Sequence, residues 1–119
     1  MKPRKIKEDL LCGITLAMKV FGAKWKPCII VLIAGGHVRP SQIHRQLPQA
    51  TPRVLDMQLS ELLEMGIVSK RTSEGFPLYS EYYLTLLGES VLPIVNHLDD
   101  WGNAHKEEFL EKFGSTMQV

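Results

Sequence analysis

The segment Pro48-Gln49-Ala50-Thr51-Pro52-Arg53, Met57 four residues on, and the pair Lys70-Arg71 hold the side chains best suited to reading a duplex. An arginine can donate two bonds to guanine, a glutamine can pair with adenine, and a methionine methyl can rest against that of thymine. Gln49, Arg53, Gln58 and Met57 are the candidates here, with Ser41, Gln42, Thr51 and Pro52 beside them. Lys24, Lys26, Arg39 and Arg45 are candidates for phosphate contacts, which fix register without carrying sequence information. A second kind of chemistry is open to Cys12. A thiol reacts as its thiolate, which needs cations or a helix N-terminus nearby. Lys5, Lys7 and Lys19 favour the anion, Glu8 and Asp9 oppose it, and a packing cysteine is the competing reading. Cys28 sits in an apolar run and reads as inert packing.

Other chemistries find no support. His37, His44, His97 and His105 do not form ligand spacings, so no metal is expected. His97 and His105 are too far apart on one helix to chelate one ion, and only a subunit-bridging site with Asp99-Asp100 is conceivable. There is no glycine-rich phosphate loop and no nucleophile–base arrangement, so the chain reads as a non-enzyme without a cofactor.

The elements that position these residues follow from periodicity and punctuation. Leu11, Ile14, Leu16, Met18 and Phe21 suggest a helix over 8–21, stopped by Gly22. A second helix, Trp25 to Ala34, has Pro27 in its first turn and is apolar almost all round, which predicts a buried central helix. His37-Val38-Arg39 is a short extended link. Ser41 is the candidate cap of a third helix ending at Leu47, before Pro48. Thr51 as cap and Pro52 at the first position open a fourth, running to Met65 before Gly66. Leu55, Leu59, Leu62 and Leu63 form its inward stripe, and Arg53, Asp56, Met57, Ser60 and Glu64 its outer side. The period then switches to two: Ile67 to Thr72 and Leu78 to Leu84 predict a hairpin with residues 73–77 at its tip. From Thr85 a long helix runs to Phe113, with a kink predicted at Pro93.

A short helix, a three-residue turn and a longer capped helix form the layout of a helix-turn-helix, and the hairpin after it has the place of a wing. The expected fold is therefore mainly α with a small β-wing, a winged helix-turn-helix. Residues 1–7 form a basic arm and 8–119 one domain, with the helix-turn-helix at about 40–65 and the wing at about 67–84. Charge supports this. Residues 1–71 hold twelve Lys/Arg and five Asp/Glu, a net +7, whereas residues 72–119 hold two and eight, a net −6. A basic half on a chain of net charge +1 suggests a polyanion face and a different task for the other half. With 119 residues, 45% apolar side chains, two cysteines and no long apolar run, the sequence excludes a membrane span and a disulfide scaffold, and predicts a cytoplasmic globule.

Four stretches carry a resemblance: Gly22-Ala23-Lys24-Trp25-Lys26, Pro40-Ser41-Gln42-Ile43, the run from Leu62 to Val68, and the run from Glu81 to Gly88. With Asp100-Trp101-Gly102, they resemble the HxlR family of bacterial winged-helix transcriptional regulators over about residues 10–105. The resemblance implies a homodimer on a double-stranded DNA operator, pairing through its first and last helices, here about 8–21 and 86–113. Leu11, Ile14, Met18, Leu92, Val95, Leu98 and Trp101 are the expected interface residues. It also implies a tentative sensor role for Cys12, because several members detect oxidants or electrophiles with an N-terminal cysteine. This chain departs at Gly13-Ile14, where Pro and Val are usual, and at Asp56, where a small hydroxyl residue is usual; a carboxylate there suggests an altered operator. The expected function is a sequence-specific DNA-binding regulator, a repressor, with the effector unknown. Two alternatives stand: a winged-helix regulator that senses a small ligand without thiol chemistry, and a winged helix that binds an acidic protein.

Overall fold

The computed structural model describes residues 12–114. The basic arm, Leu11 and the expected first turn of the leading helix lie outside the described residues.

The elements are α1 (Gly13–Phe21), α2 (Lys26–Ala34), α3 (Pro40–Gln46), α4 (Pro52–Glu64), β1 (Val68–Thr72), β2 (Ser80–Leu84), α5 (Leu86–Ala104) and α6 (Lys106–Phe113). α2 is the hub. It packs against α1, α3, α4, α5 and β2. Its Ile29, Ile30 and Ile33 are buried with Ile43 of α3, Leu55, Leu59 and Leu62 of α4, Ile67, Val68, Tyr82, Val91 and Val95. Burial is not complete around α2, however: Cys28 and Val31 are exposed. An all-apolar helix face need not be covered within one subunit.

α4 is fixed at both ends by its own sequence. The Thr51 hydroxyl accepts from the Val54 N–H at 3.2 Å, and Pro52 takes the position where no N–H is needed. At the other end Gly66 has φ +77°, and Ile67 N–H donates to Leu62 O at 3.0 Å, which satisfies a carbonyl the helix leaves free. Ser41 does not cap α3. Arg39 holds the cap position, and the Gln42 side-chain oxygen accepts from the N–H groups of Val38 and Arg39, each at 3.0 Å. A side chain in the first turn thus reaches back to the amides of the cap residue and the residue before it, the returning half of a capping box.

β1 and β2 pair antiparallel, with Val68 opposite Leu84, Lys70 opposite Tyr82 and Arg71 opposite Glu81. The extended link at residues 37–39 lies along β2, where Tyr82 N–H donates to Val38 O at 2.8 Å. The wing is anchored to α5 by Thr85. Its hydroxyl accepts from Gly88 N–H at 3.1 Å and lies 2.6 Å from Gly66 O, while its N–H donates to Ile67 O at 3.1 Å. A Cβ at Gly88 would collide with the Ile67 carbonyl, so the close approach of α5 to the wing requires glycine there.

The last helical stretch is not one helix kinked at Pro93. Pro93 lies within α5, and the break comes at His105 (φ −113°, ψ 15°). Gly102 lowers helix propensity just before it. The Trp101 ring packs on His105 at 4.7 Å between centroids and on Phe109 at 5.9 Å, across the break.

Candidate nucleic-acid interface

The outward side of α4 is open. Gln49, Thr51, Pro52, Arg53, Asp56 and Met57 are all exposed, whereas the leucine stripe beneath them is buried. The Arg53 guanidinium has no hydrogen bond or ion pair among the described residues. The start of α4 and the turn before it therefore offer an uncommitted cation, the Gln49 amide and a methionine methyl group, with α4 anchored from behind by apolar packing.

Three side chains expected at this surface have other tasks. Gln58 turns inward, and its oxygen accepts from Trp25 N–H at 3.1 Å, joining α4 to the start of α2. Gln42 spends its oxygen on capping α3. Lys26, a phosphate candidate in the sequence, is only 6% exposed. Its Nζ lies 2.8 Å from Glu61 Oε1 and 3.4 Å from Lys19 O, so it clips α2 to α4 and α1. Asp56 faces His44 across the helix-turn-helix, with Nε2 and Oδ1 2.8 Å apart. Its carboxylate is thus partly satisfied within the motif. Ser41, Lys24 and Arg45 remain exposed, with Lys24 lying over the Trp25 ring at 5.1 Å.

Lys70 and Arg71 are adjacent in a strand, so their side chains leave on opposite faces. Lys70 lies over the Tyr82 ring at 5.9 Å and Arg71 over the Tyr83 ring at 5.2 Å. The sequence reading grouped them as one basic tip. The structure divides them between two sides of the wing and gives Arg71 a cluster with Arg39. The Arg39 guanidinium lies 3.8 Å from the Tyr79 ring centroid, and its Nε is 3.6 Å from Glu81 Oε2. Tyr83 OH donates to the other Glu81 oxygen at 2.8 Å. That hydrogen bond, reinforced by desolvation and the carboxylate charge, holds the Tyr83 phenol above its ordinary pKa. Glu81, Tyr79 and His44 were not singled out from sequence. The cross-strand register Arg71–Glu81 was the available signal for the first of them. Phe76 at the wing tip is 94% exposed, and Leu78, two residues on, is exposed as well.

The dimer stripe proposed from sequence divides in two. Val95 is 8% exposed and belongs to the chain's own core, with Leu92 packed against it. Val95 is taken up by the chain's own packing, whereas half-buried Leu92 keeps part of its surface open. Ile14, Met18, Leu98 and Trp101 are exposed, as are Phe109, Leu110 and Phe113 on α6.

The two thiols also differ from expectation. Cys12 is not within α1 but at its cap position, with extended backbone (φ −86°, ψ 121°), half-exposed. Its pKa is lowered by hydrogen bonding to the Thr15 N–H, the Thr15 hydroxyl and the Ile14 N–H. These donors stabilise a thiolate as they would any anion at a helix start. Cys28 is not buried packing. It borders a groove of about 520 Å³ between α2 and α5, walled by Val31, Leu47 and Leu98 among others. Desolvation, and then the charge of Asp99, push its thiol pKa up. Near neutral pH iodoacetamide will therefore modify Cys12 well before Cys28, with the gap closing as pH rises past both thiol values. Peptide mass mapping over a time course checks this, and equal rates at pH 7 would contradict it.

A recognition helix packed by one face, preceded by a short helix and followed by a two-stranded wing, defines the winged helix-turn-helix class of DNA-binding transcription regulators. Residues 20–109 match the family described as HxlR-like helix-turn-helix, and the chain belongs to that family. It is 34% identical over 108 residues to an uncharacterised HTH-type transcriptional regulator of Methanothermobacter thermautotrophicus, covering 88% of this chain and 82% of the relative. It is 35% identical over 97 residues to the HTH-type regulator YkvN of Bacillus subtilis, covering 82% of each. Among solved structures, the redox regulator HypR in its reduced form superposes with a TM-score of 0.77 at 31% identity, covering 82% of this chain and 97% of that one. No helix among the described residues is long and apolar enough to cross a membrane.

Proposed function

We propose that two copies of this chain form a symmetric dimer that sits on a pseudo-palindromic operator and represses the gene beside it. The observation that carries this reading is the exposed set Arg53 and Met57 on α4, with Thr51 at its cap and Gln49 in the turn before it, while the other face of α4 is locked into the core. Ile14 and Met18 of α1 and Leu98 and Trp101 of α5, the last 59% exposed, supply an apolar surface for the mate. A two-fold contact between such surfaces is self-complementary and places the two readers in matched orientation. Half-sites then lie about one helical turn, or a small multiple, apart. Lys24, Ser41, Arg45, Lys70 and Arg71 contribute phosphate contacts, and Gln42 holds the backbone that presents them.

The dimer senses oxidants or electrophiles through Cys12. The lowered thiol pKa and the position of Cys12 at the start of a dimer helix support this, as does the redox regulator among its structural neighbours. Modification there alters the packing of α1 and so the separation of the two recognition helices. Cys12→Ser will keep operator binding but lose its sensitivity to a quinone or peroxide. A serine variant released as readily as the parent would remove the thiol from the mechanism.

The DNA reading is tested by salt. Neutralising several phosphates releases counterions, so log affinity will fall linearly with log salt concentration, with a slope of about −0.9 per phosphate. Fluorescence anisotropy of a labelled duplex measures it, and a slope near zero would leave the basic face without a role in DNA binding.

A further inference from the structure

We propose that Glu81 is a specificity-determining residue of the DNA surface: its carboxylate pairs with Arg39, so that this cation does not bind an arbitrary phosphate cheaply. The inference rests on the DNA-binding reading above and goes beyond it.

Glu81 is an acidic side chain on the wing face that also carries Tyr79, Tyr83 and Arg71. It has two side-chain partners, and a second cation stands across from it in the strand register. Arg39 Nε lies 3.6 Å from Oε2, Tyr83 OH donates to Oε1 at 2.8 Å, and Arg71 stands directly opposite on β1. The Arg39 guanidinium is stacked 3.8 Å from the Tyr79 ring, which holds it flat beside the carboxylate. Its side chain keeps 43% of its surface exposed, whereas that of Glu81 keeps 23%. The arginine is therefore accessible but already paired.

A carboxylate and a phosphate oxygen compete for the same guanidinium. A phosphate that draws on the Arg39 guanidinium weakens its contact with Glu81 and must approach that carboxylate's negative charge. On random DNA the gain of one exposed ion pair for another is close to nothing. On the operator, base contacts from α4 fix the distance between wing and backbone and can make the exchange favourable. The carboxylate thus subtracts from non-specific affinity more than from specific affinity. Arg39 also leads straight into α3, so its orientation is linked to the helix-turn-helix itself. Glu81 is thus a positioning residue that acts on DNA through Arg39.

Glu81→Gln tests it. The amide can still accept from Tyr83 OH, so shape is kept while the charge is removed. Binding is measured on a duplex of arbitrary sequence and on one selected by the protein, each across a salt series. The expected result is a roughly tenfold gain on the arbitrary duplex, a smaller gain on the selected one, and a slope steeper by about 0.9 for each arginine that acquires a phosphate. Arg39→Gln should weaken the arbitrary-duplex affinity several-fold by leaving the carboxylate unpaired, and Arg39→Gln combined with Glu81→Gln should restore it. This pair of variants decides the matter even where the single Glu81 change lowers yield. An unchanged affinity ratio in Glu81→Gln, or no restoration in the double variant, overturns the proposal while leaving the DNA reading intact. A parent protein that retards neither duplex would instead overturn the DNA reading.

Discussion

Leu55→Ala will destabilise the chain by about 2–5 kcal/mol, the range for deleting a buried leucine side chain and leaving a cavity. Leu55 is 1% exposed and lies one turn from Thr51 on α4, among Ile29, Ile30 and Leu59 in the core. Small domains are held by only about 5–15 kcal/mol in all, so the variant loses a substantial part of the parent's margin. Urea unfolding followed by far-ultraviolet circular dichroism measures the loss. Met57→Ala is the control two residues on. Met57 is exposed on the opposite side of the same helix, and its truncation should change stability by no more than about 0.5 kcal/mol. Equal losses for the two would mean that α4 is not oriented as described, and the assignment of its outer face to DNA would lose its basis.

Arg53→Ala will weaken binding to a selected operator by about 1–3 kcal/mol, a loss of roughly five- to 150-fold, with the preference at one base position relaxed. The effect follows from an exposed guanidinium with no partner among the described residues, at the second position of a helix anchored through Leu55 and Leu59. Because the group is uncommitted in the free protein, its removal leaves no buried charge and should not alter stability or oligomeric state. Sedimentation and thermal melting check that separation. Operator affinity equal to the parent's would take Arg53 out of the interface, and a lost fold would show that it has a structural role the geometry does not account for.

These two residues were legible in the sequence for the same reason. Thr51, Pro52 and the leucines at helical spacing are local signals, and local signals fix a helix, its start and its faces. The hairpin and the turn at Gly66 were read in the same way, with strand ends shifted by one or two residues. What escaped was non-local. Nothing in the spacing of Gln58 reveals that it meets Trp25, or in Lys26 that it is buried against Glu61, because each pair is formed by packing of α2 on α4. Val95 looked available for a partner because a helix stripe does not say which surface covers it; α2 of the same chain does. Cys28 failed in the opposite direction, since an apolar run suggested burial while the groove beside α5 leaves it open. Cys12, expected inside a helix over 8–21, stands at the cap of α1, which begins at Gly13, and there it faces backbone donors. Glu81 heads a run that carries the family resemblance but no chemistry of its own in sequence, although its place opposite Arg71 follows once the hairpin register is fixed.

The most direct test of the account is a hydroxyl-radical footprint of the purified protein on duplexes it has selected from random sequence. Two protected segments related by a dyad are predicted, their centres about 10–10.5 base pairs apart or a small multiple of that, and both should fade together with Arg53→Ala. A single protected patch without two-fold symmetry, or protection that persists unchanged in that variant, would contradict it.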